Sequence, residues 1–164
     1  MRLLAAVLIA LSSMPAIAAD TVAGETQHSA GDPQIAHHLD SLDYQYEVDE
    51  DGDYKLTFKM DDERSQLAYV LSATEKFGNL NIREIWSPAY RASAAQFPVE
   101  VANRLLEDSQ SSKLGGWVKQ GNMAVFVVKI AADAGEKELD DALDFVLRSA
   151  DQMEAALTQG KDEF

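Results

Sequence analysis

Residues 114–157 read LGGWVKQGNMAVFVVKIAADAGEKELDDALDFVLRSADQMEAAL, and this stretch decides the class of fold. Its first part predicts two strands around the turn-forming residues Gly121 and Asn122, and the later strand, over 123–130, is apolar on both faces. From Glu136 onward the spacing of apolar residues changes to three and four, at Leu139, Ala142, Leu143, Val146, Ala150, Met153 and Leu157. The stretch therefore predicts a β-hairpin followed by a long amphipathic helix over 136–157.

Four more strands are predicted upstream, connected as a meander. Residues 44–48 and 54–60 alternate apolar and polar side chains on either side of Asp51 and Gly52, a pair suited to a tight turn. Residues 66–74 and 80–86 are two further strands separated by Gly78 and Asn79. Because proline has no backbone N–H to donate, we expect the last of these strands to end at Ser87 and Pro88.

Two more helices complete the predicted fold. Asp32 supplies an N-cap acceptor and Pro33 suits the first helical position, so a short helix is expected to about Leu42. Pro98 opens a second helix to about Gln110, with an apolar stripe at Val99, Ala102, Leu105 and Leu106. The order α-β-β-β-β-α-β-β-α predicts an α+β fold with one antiparallel sheet of about six strands packed by helices.

The N-terminal segment MRLLAAVLIALSSMPAIAA resembles a targeting sequence rather than part of the fold. Arg2, an apolar run over 3–11 and the small residues at 16–18 are typical of a secretory signal peptide. That run is shorter than the roughly 20 residues of a membrane-spanning helix, so no membrane insertion is expected after cleavage. We predict a signal peptide over 1–18, a flexible leader over 19–31, one folded domain over 32–158 and a flexible C-terminal tail over 159–164.

Charge and cysteine content limit the classes of function. The 14 Lys and Arg residues face 28 Asp and Glu residues, a net charge of -14, which repels nucleic acid and anionic lipid headgroups. There is no cysteine, which excludes disulfides, thiolate metal sites and catalytic thiols. Export without cysteine indicates a protein of the bacterial periplasm.

Few residues suggest a metal site or a catalytic centre. Histidine occurs only at positions 28, 37 and 38, and two adjacent helical residues point about 100° apart, so His37 and His38 cannot grip one metal together. The acidic run over 49–53 has alternate aspartates, but a calcium loop starting at Asp49 would need glycine where Tyr54 stands and glutamate where Met60 stands. A hairpin turn explains this run, with weak surface cation binding left open.

The remaining motifs also have structural explanations. Gly115 and Gly116 are followed by Trp117 rather than the Lys-Ser/Thr of a phosphate loop. The aromatic residues Trp86, Trp117 and Tyr90 could line a ligand groove or belong to the core. We assign no catalytic, cofactor-binding or metal-binding residue, leave the partner-binding residues unknown, and predict that the protein is not an enzyme.

The region from about residue 35 to residue 157 resembles the YbjN domain family, whose fold is like that of type III secretion chaperones. The resemblance rests on the opening helix, on YQYEVDEDGDYKLTFKM at 44–60, on VANRLLEDSQSSKLGGWVKQGNMAVFVVKI at 101–130 and on ELDDALDFVLRSADQMEAAL at 138–157. It implies this fold, self-association and a chaperone-like or regulatory handling of partners, and it implies no catalytic residues.

The strand over 123–130 leads to the functional hypothesis. Because the helices of a small domain cover only one face of such a strand, the other face needs a cover from this chain or from a second polypeptide. We expect a non-enzymatic periplasmic protein that forms a homodimer or binds a protein or peptide client. The alternative is a small carboxylate-dependent hydrolase or ligand-binding protein, with acids near Trp86 or Trp117. Modulation of an envelope sensor or secretion apparatus is a third possibility.

Overall fold

A computed structural model describes residues 30–164 of the chain. The elements follow the predicted order: α1 (Pro33–Ser41), β1 (Tyr46–Val48), β2 (Tyr54–Lys59), a 3₁₀ turn (Asp61–Glu63), β3 (Ser65–Phe77), β4 (Leu80–Arg91), α2 (Val99–Ser111), β5 (Gly116–Gln120), β6 (Met123–Ala131) and α3 (Glu136–Thr158). The α+β class and the single six-stranded antiparallel sheet are confirmed. The predicted signal peptide, and the leader up to residue 29, lie outside the described residues.

The strands are arranged in the order β1-β2-β3-β4-β6-β5, and every neighbouring pair is antiparallel. Helix α3 lies across β3, β4 and β6, and α1 contacts α3. Helix α2 contacts the edge strand β5. We call the side of the sheet that α3 covers the inner face and the opposite side the outer face.

The apolar stripe of α3 forms the main core against the inner face. Leu143 is 1% exposed and packs in one cluster with Phe126 of β6 and Ile85 of β4, which have no exposed surface. The predicted stripe positions of α3 are buried, except Leu157, which is partly buried. The period of three and four residues therefore identified the packed face of this helix.

Helix α1 begins as the sequence predicts, because the side chain of Asp32 accepts a hydrogen bond of 2.9 Å from the backbone N–H of Gln34. The other carboxylate oxygen accepts a hydrogen bond of 2.5 Å from the guanidinium of Arg83, a residue that is 4% exposed. Arg83 also donates to the backbone carbonyl of Leu71 at 2.6 Å, beside a register shift in β3. The N-cap residue thus ties α1 to the sheet.

The prediction that the fourth strand ends at Ser87 and Pro88 is wrong. Strand β4 continues to Arg91, and Pro88 lies opposite Val125 of β6. A register shift follows between Pro88 and Tyr90, and such an irregularity is where a sheet tolerates a residue without an N–H donor. The carbonyl of Pro88 accepts a hydrogen bond of 2.6 Å from the buried side-chain amide of Gln66.

Residues 159–164 also differ from the flexible tail that the sequence predicts. Phe164 is only 7% exposed. The backbone N–H of Glu163 donates a hydrogen bond of 2.6 Å to the buried carboxylate of Glu154, and the carboxylate of Asp162 accepts one of 3.2 Å from the N–H of Ser65. Partners on α3 and β3, distant along the chain, therefore hold this segment in place.

The stripe of α2 is narrower than predicted. Leu105 is 4% exposed, whereas Val99 and Leu106 are 69% and 67% exposed. The physical reason is that α2 packs beside the edge strand β5 instead of across the sheet. None of the helices within residues 30–164 combines the length and the hydropathy that crossing a membrane requires.

Candidate functional site

The outer face carries a row of side chains that crosses all six strands. Residues that lie directly opposite each other on neighbouring strands point to the same face of a sheet. The strand register places Glu47, Lys55, Tyr69, Trp86, Val127 and Gly116 in one such row, from β1 to β5. The next positions on this face add Leu67, Val125 and Val118. Val125 and Val127 are only 0% and 5% exposed, so neighbouring residues of this chain already cover the outer side of β6 there. Within residues 30–164, the helices that pack across the sheet lie on the opposite, inner face.

An aromatic pair occupies the middle of the outer face. The rings of Tyr69 and Trp86 stack with centroids 4.2 Å apart and an angle of 13° between their planes. Both side chains keep part of their surface exposed. Stacked aromatic rings with one free side are typical of binding surfaces, because they offer a large apolar area at a small cost in side-chain entropy.

A groove continues this surface toward β5 and α2. Its volume is about 400 Å³, and it is lined by Leu106, Ser109, Gly115, Gly116, Trp117, Val118, Val127 and Lys129. Leu106 and Val118 are 67% and 44% exposed. The backbone of Gly115 has φ +79°, and a Cβ there would lie 2.2 Å from the carbonyl oxygen of Val127. Glycine is therefore needed for the chain to approach β6 this closely.

The charged side chains of the outer face include two cross-strand ion pairs. Lys129 lies 2.6 Å from the carboxylate of Glu84, and Lys55 lies 3.5 Å from that of Glu47. The hydrogen bond and the charge of Glu84 raise the pKa of Lys129. In each pair the positive charge of the lysine balances the negative charge of the glutamate, whereas the whole chain has a net charge of -14.

The three aromatic residues singled out from the sequence do not meet in one groove. Trp86 lies on the outer face, whereas Tyr90 and Trp117 belong to the inner face, opposite Ala124 and Phe126. Trp117 packs edge-on against Phe126 at 5.1 Å, and Tyr90 packs against Phe97 at 5.9 Å. Trp86 alone of the three is thus part of the outer aromatic pair.

The acids near these tryptophans are bound to different partners. Glu84 pairs with Lys129, and the carboxylate of Asp108 accepts a hydrogen bond of 2.7 Å from the indole N–H of Trp117. The two carboxylates belong to separate elements, β4 and α2. Each of the two acids therefore already has a partner, and the alternative hydrolase hypothesis stays a prediction.

The acidic run over 49–53 forms a hydrogen-bonded turn. The carboxylate of Asp49 accepts from the backbone N–H groups of Asp51 and Asp53, at 3.0 and 2.9 Å. The carboxylate of Asp53 accepts from the N–H of Ser72 at 2.8 Å, and burial raises its pKa. His37 and His38 have ring centroids 5.9 Å apart. Among residues 30–164, no three His, Asp or Glu side chains are grouped so that they could hold a metal ion.

Two clefts flanking α3 were missed by the sequence reasoning. One, of about 450 Å³ between α3 and β2, contains Tyr44, Asp61, Asp140, Asp141 and Asp144. The other, of about 410 Å³ between α3 and α2, contains Arg104, Lys113 and Arg148. Each brings together residues that are more than thirty positions apart, so no local motif marks them.

Tyr69 was also missed, although a signal for it exists. Residues 67–71 read LAYVL and are apolar at every position, like residues 123–128 of the later strand. Such a run indicates a strand with apolar groups on both faces, and hence an apolar outer face.

No protein-family model matches this chain, and a search of the curated proteins finds no similar sequence. The resemblance to the YbjN domain family stays a prediction.

Proposed function

We propose that this protein is a non-enzymatic, exported protein of the bacterial envelope that associates with another polypeptide through the outer face, and that its first partner is a second copy of itself. The observation that carries the proposal is the stacked, partly exposed pair Tyr69 and Trp86. The accessible apolar surface of this region comes from that pair and from the exposed side chains of Val118 and Leu106, because Val125 and Val127 between them are 0% and 5% exposed. Exposed apolar side chains close together on a small domain are typical of an interaction site. The YbjN-like resemblance implies the same kind of action.

The charges of the outer face are compatible with self-association. Two copies with a charge of -14 each repel one another wherever acidic surfaces meet. On the outer face the Glu84–Lys129 and Glu47–Lys55 pairs are each neutral, which limits repulsion between two copies around the aromatic pair. A two-fold dimer places the same patch on both subunits, which suits an apolar centre with balanced charges around it.

The edges of the sheet are poor alternatives for docking a strand. On β5, the outward N–H of Trp117 already donates a hydrogen bond of 2.8 Å to the hydroxyl of Ser109 on α2. On the opposite edge, β1 has three residues. Short or covered edge strands resist the addition of a further strand, which leaves the face of the sheet as the docking surface.

The decisive experiment measures the mass of the chain beginning at Ala19 by light scattering over a concentration series. We expect a dimer for the wild type and a folded monomer for Trp86→Glu, because the new charge would be buried in the interface. Val99→Glu is the matched control, since Val99 is 69% exposed on α2, outside the outer face. It should leave the dimer intact.

A wild-type monomer at every concentration, or a Trp86→Glu variant that dimerises as well as Val99→Glu, would contradict self-association. If the monomer instead binds extended peptides and Trp86→Glu abolishes that binding, the outer face belongs to a client polypeptide.

A further inference from the structure

The cleft between α2 and α3 has a charge opposite to that of the protein. Its lining includes Arg104 of α2, Lys113 just after α2 and Arg148 of α3, and its only acid among the described residues is Asp108. Three cations and one acid line the cleft, and counting Asp144, which pairs with Arg148, the local excess is one positive charge in a chain whose net charge is -14. The cleft is therefore rich in cations, although acidic residues outnumber basic ones in the chain as a whole.

The spacing of the lining residues explains how the two helices form this cleft. Arg104, Asp108 and Ser111 are four and three residues apart, so they share one face of α2. On α3, Arg148 and Gln152 are four residues apart and Ser149 lies between them on the same side. The polar stripes of the two helices thus face each other, above the buried side chain of Met153.

Most of the positive groups are available for a ligand. Neither Arg104 nor Lys113 forms an ion pair with any residue that the structure describes. Arg148 lies 2.7 Å from Asp144, but these side chains are 61% and 60% exposed, and exposed pairs of this kind are weak. The single acid, Asp108, is already hydrogen bonded to the indole of Trp117.

Neutral donors add to the cationic ones. The hydroxyl of Ser149 and the side-chain amide of Gln152 line the cleft, and neither makes a hydrogen bond within residues 30–164. The hydroxyls of Ser111 and Ser112, by contrast, donate to the backbone carbonyls of Asp108 and Leu114. The free donors therefore come from α3 on one side and from Arg104 and Lys113 on the other.

We propose that this cleft binds a small molecule with two or more negative charges on phosphate or carboxylate groups. Guanidinium groups match the geometry of these oxyanions, and hydroxyl and amide donors complete their hydrogen bonds. A volume of about 410 Å³ suits a small metabolite. A long polyanion is disfavoured because it would extend beyond the cleft over a surface of net negative charge.

The experiment titrates the protein with inorganic phosphate and, separately, with citrate at low ionic strength. Binding is followed by calorimetry and by backbone amide NMR shifts. We expect the shifts to concentrate at Ser112, Lys113, Ser149 and Gln152. Arg104→Ala should weaken binding about tenfold, as expected for the loss of one charge-assisted hydrogen bond. Tighter binding of phosphate or of citrate identifies the preferred oxyanion.

Lys137→Ala is the matched control, because it removes one positive charge from α3 at a side chain that is 85% exposed and outside the cleft. It should change binding less than about twofold, because a distant exposed charge acts only through the screened field. Equal losses in the two variants would show a general charge effect and overturn the proposal. No binding of either probe, or shifts centred elsewhere, would overturn it as well.

Discussion

The guanidinium of Arg64 donates a hydrogen bond of 2.8 Å to the carboxylate of Glu154, whose side chain has no exposed surface. Arg64 also donates to Asp151 at 2.7 Å and to the carbonyl of Lys161 at 3.2 Å. The other carboxylate oxygen of Glu154 accepts the backbone N–H of Glu163 at 2.6 Å. One buried pair therefore joins the residue before β3, the last turns of α3 and residues 160–164.

This pair gives a pH dependence of stability with a definite sign. Burial raises the pKa of Glu154 above its ordinary value of 4.5, although the N–H of Glu163 and the charge of Arg64 oppose the rise. A raised pKa in the folded state means that the proton stabilises the fold below pH 4.5, and that this contribution is lost as pH rises through the folded pKa. The Glu154→Gln variant has an amide at this position, which does not titrate in this range.

We therefore expect the free energy of unfolding of the wild type, relative to Glu154→Gln, to fall between a pH below 4.5 and neutral pH. Urea unfolding of both proteins across this range measures the difference. A difference that grows with pH would mean that the ion pair with Arg64 outweighs burial.

The titration of Tyr44 can separate the effect of burial on its pKa from the effect of a hydrogen bond. Its hydroxyl donates a hydrogen bond of 2.5 Å to the carboxylate of Asp140. Burial first, and then this hydrogen bond and charge, raise the pKa of Tyr44 from 10.0 to about 12. Because the folded pKa is raised, the contribution of Tyr44 to stability is complete below pH 10.0 and is lost as pH rises through about 12.

We expect Asp140→Asn to lower the pKa of Tyr44 only part of the way from about 12 toward 10.0, because burial remains. The measurement is tyrosinate absorbance, compared with the same protein carrying Tyr44→Phe. Asp141→Asn is the control, since Asp141 pairs with Lys137 at 2.8 Å. A complete return to 10.0 would show that Asp140 alone raises the pKa.

The packing of α3 predicts a large difference between two leucine truncations. Leu143 is 1% exposed, so Leu143→Ala should cost about 2–5 kcal/mol by leaving a cavity in the core. Leu106 is 67% exposed, and Leu106→Ala should change stability by no more than about 0.5 kcal/mol. Urea unfolding midpoints test both values. Similar losses of stability would mean that Leu106, in the groove beside β5 and α2, contributes to the stability of the isolated chain.

Two glycines with positive φ should respond differently to the same substitution. A Cβ at Gly115 would lie 2.2 Å from the carbonyl oxygen of Val127, whereas Gly121, with φ +59°, has no other atom within 4 Å of that position. Gly121→Ala should cost about 1–2 kcal/mol, the penalty of a left-handed backbone alone. Gly115→Ala should cost more, because the backbone of β5 or β6 must also move. Thermal unfolding compares the two, and equal losses would contradict the close approach.

Local sequence patterns determined the elements of this protein. The spacing of Leu139, Leu143 and Val146 identified the packed face of α3, because neighbouring turns of a helix are encoded by residues three and four apart. The N-cap at Asp32 and the turn at Gly121 and Asn122 likewise depend on a few consecutive residues. The order of helices and strands, and therefore the α+β class, followed from such short-range signals.

Tertiary structure alone decided which of these residues meet. The continuation of β4 through Pro88 depends on its pairing with Val125, and the stack of Tyr69 on Trp86 depends on the register between β3 and β4. The cationic cleft joins Arg104 to Arg148 across two helices, and Glu154 holds residues that local composition marks as a free tail. The periodicity of the sequence determines on which face of its own helix or strand a residue lies. Contacts between distant elements depend on how the whole sheet pairs, which no local spacing encodes.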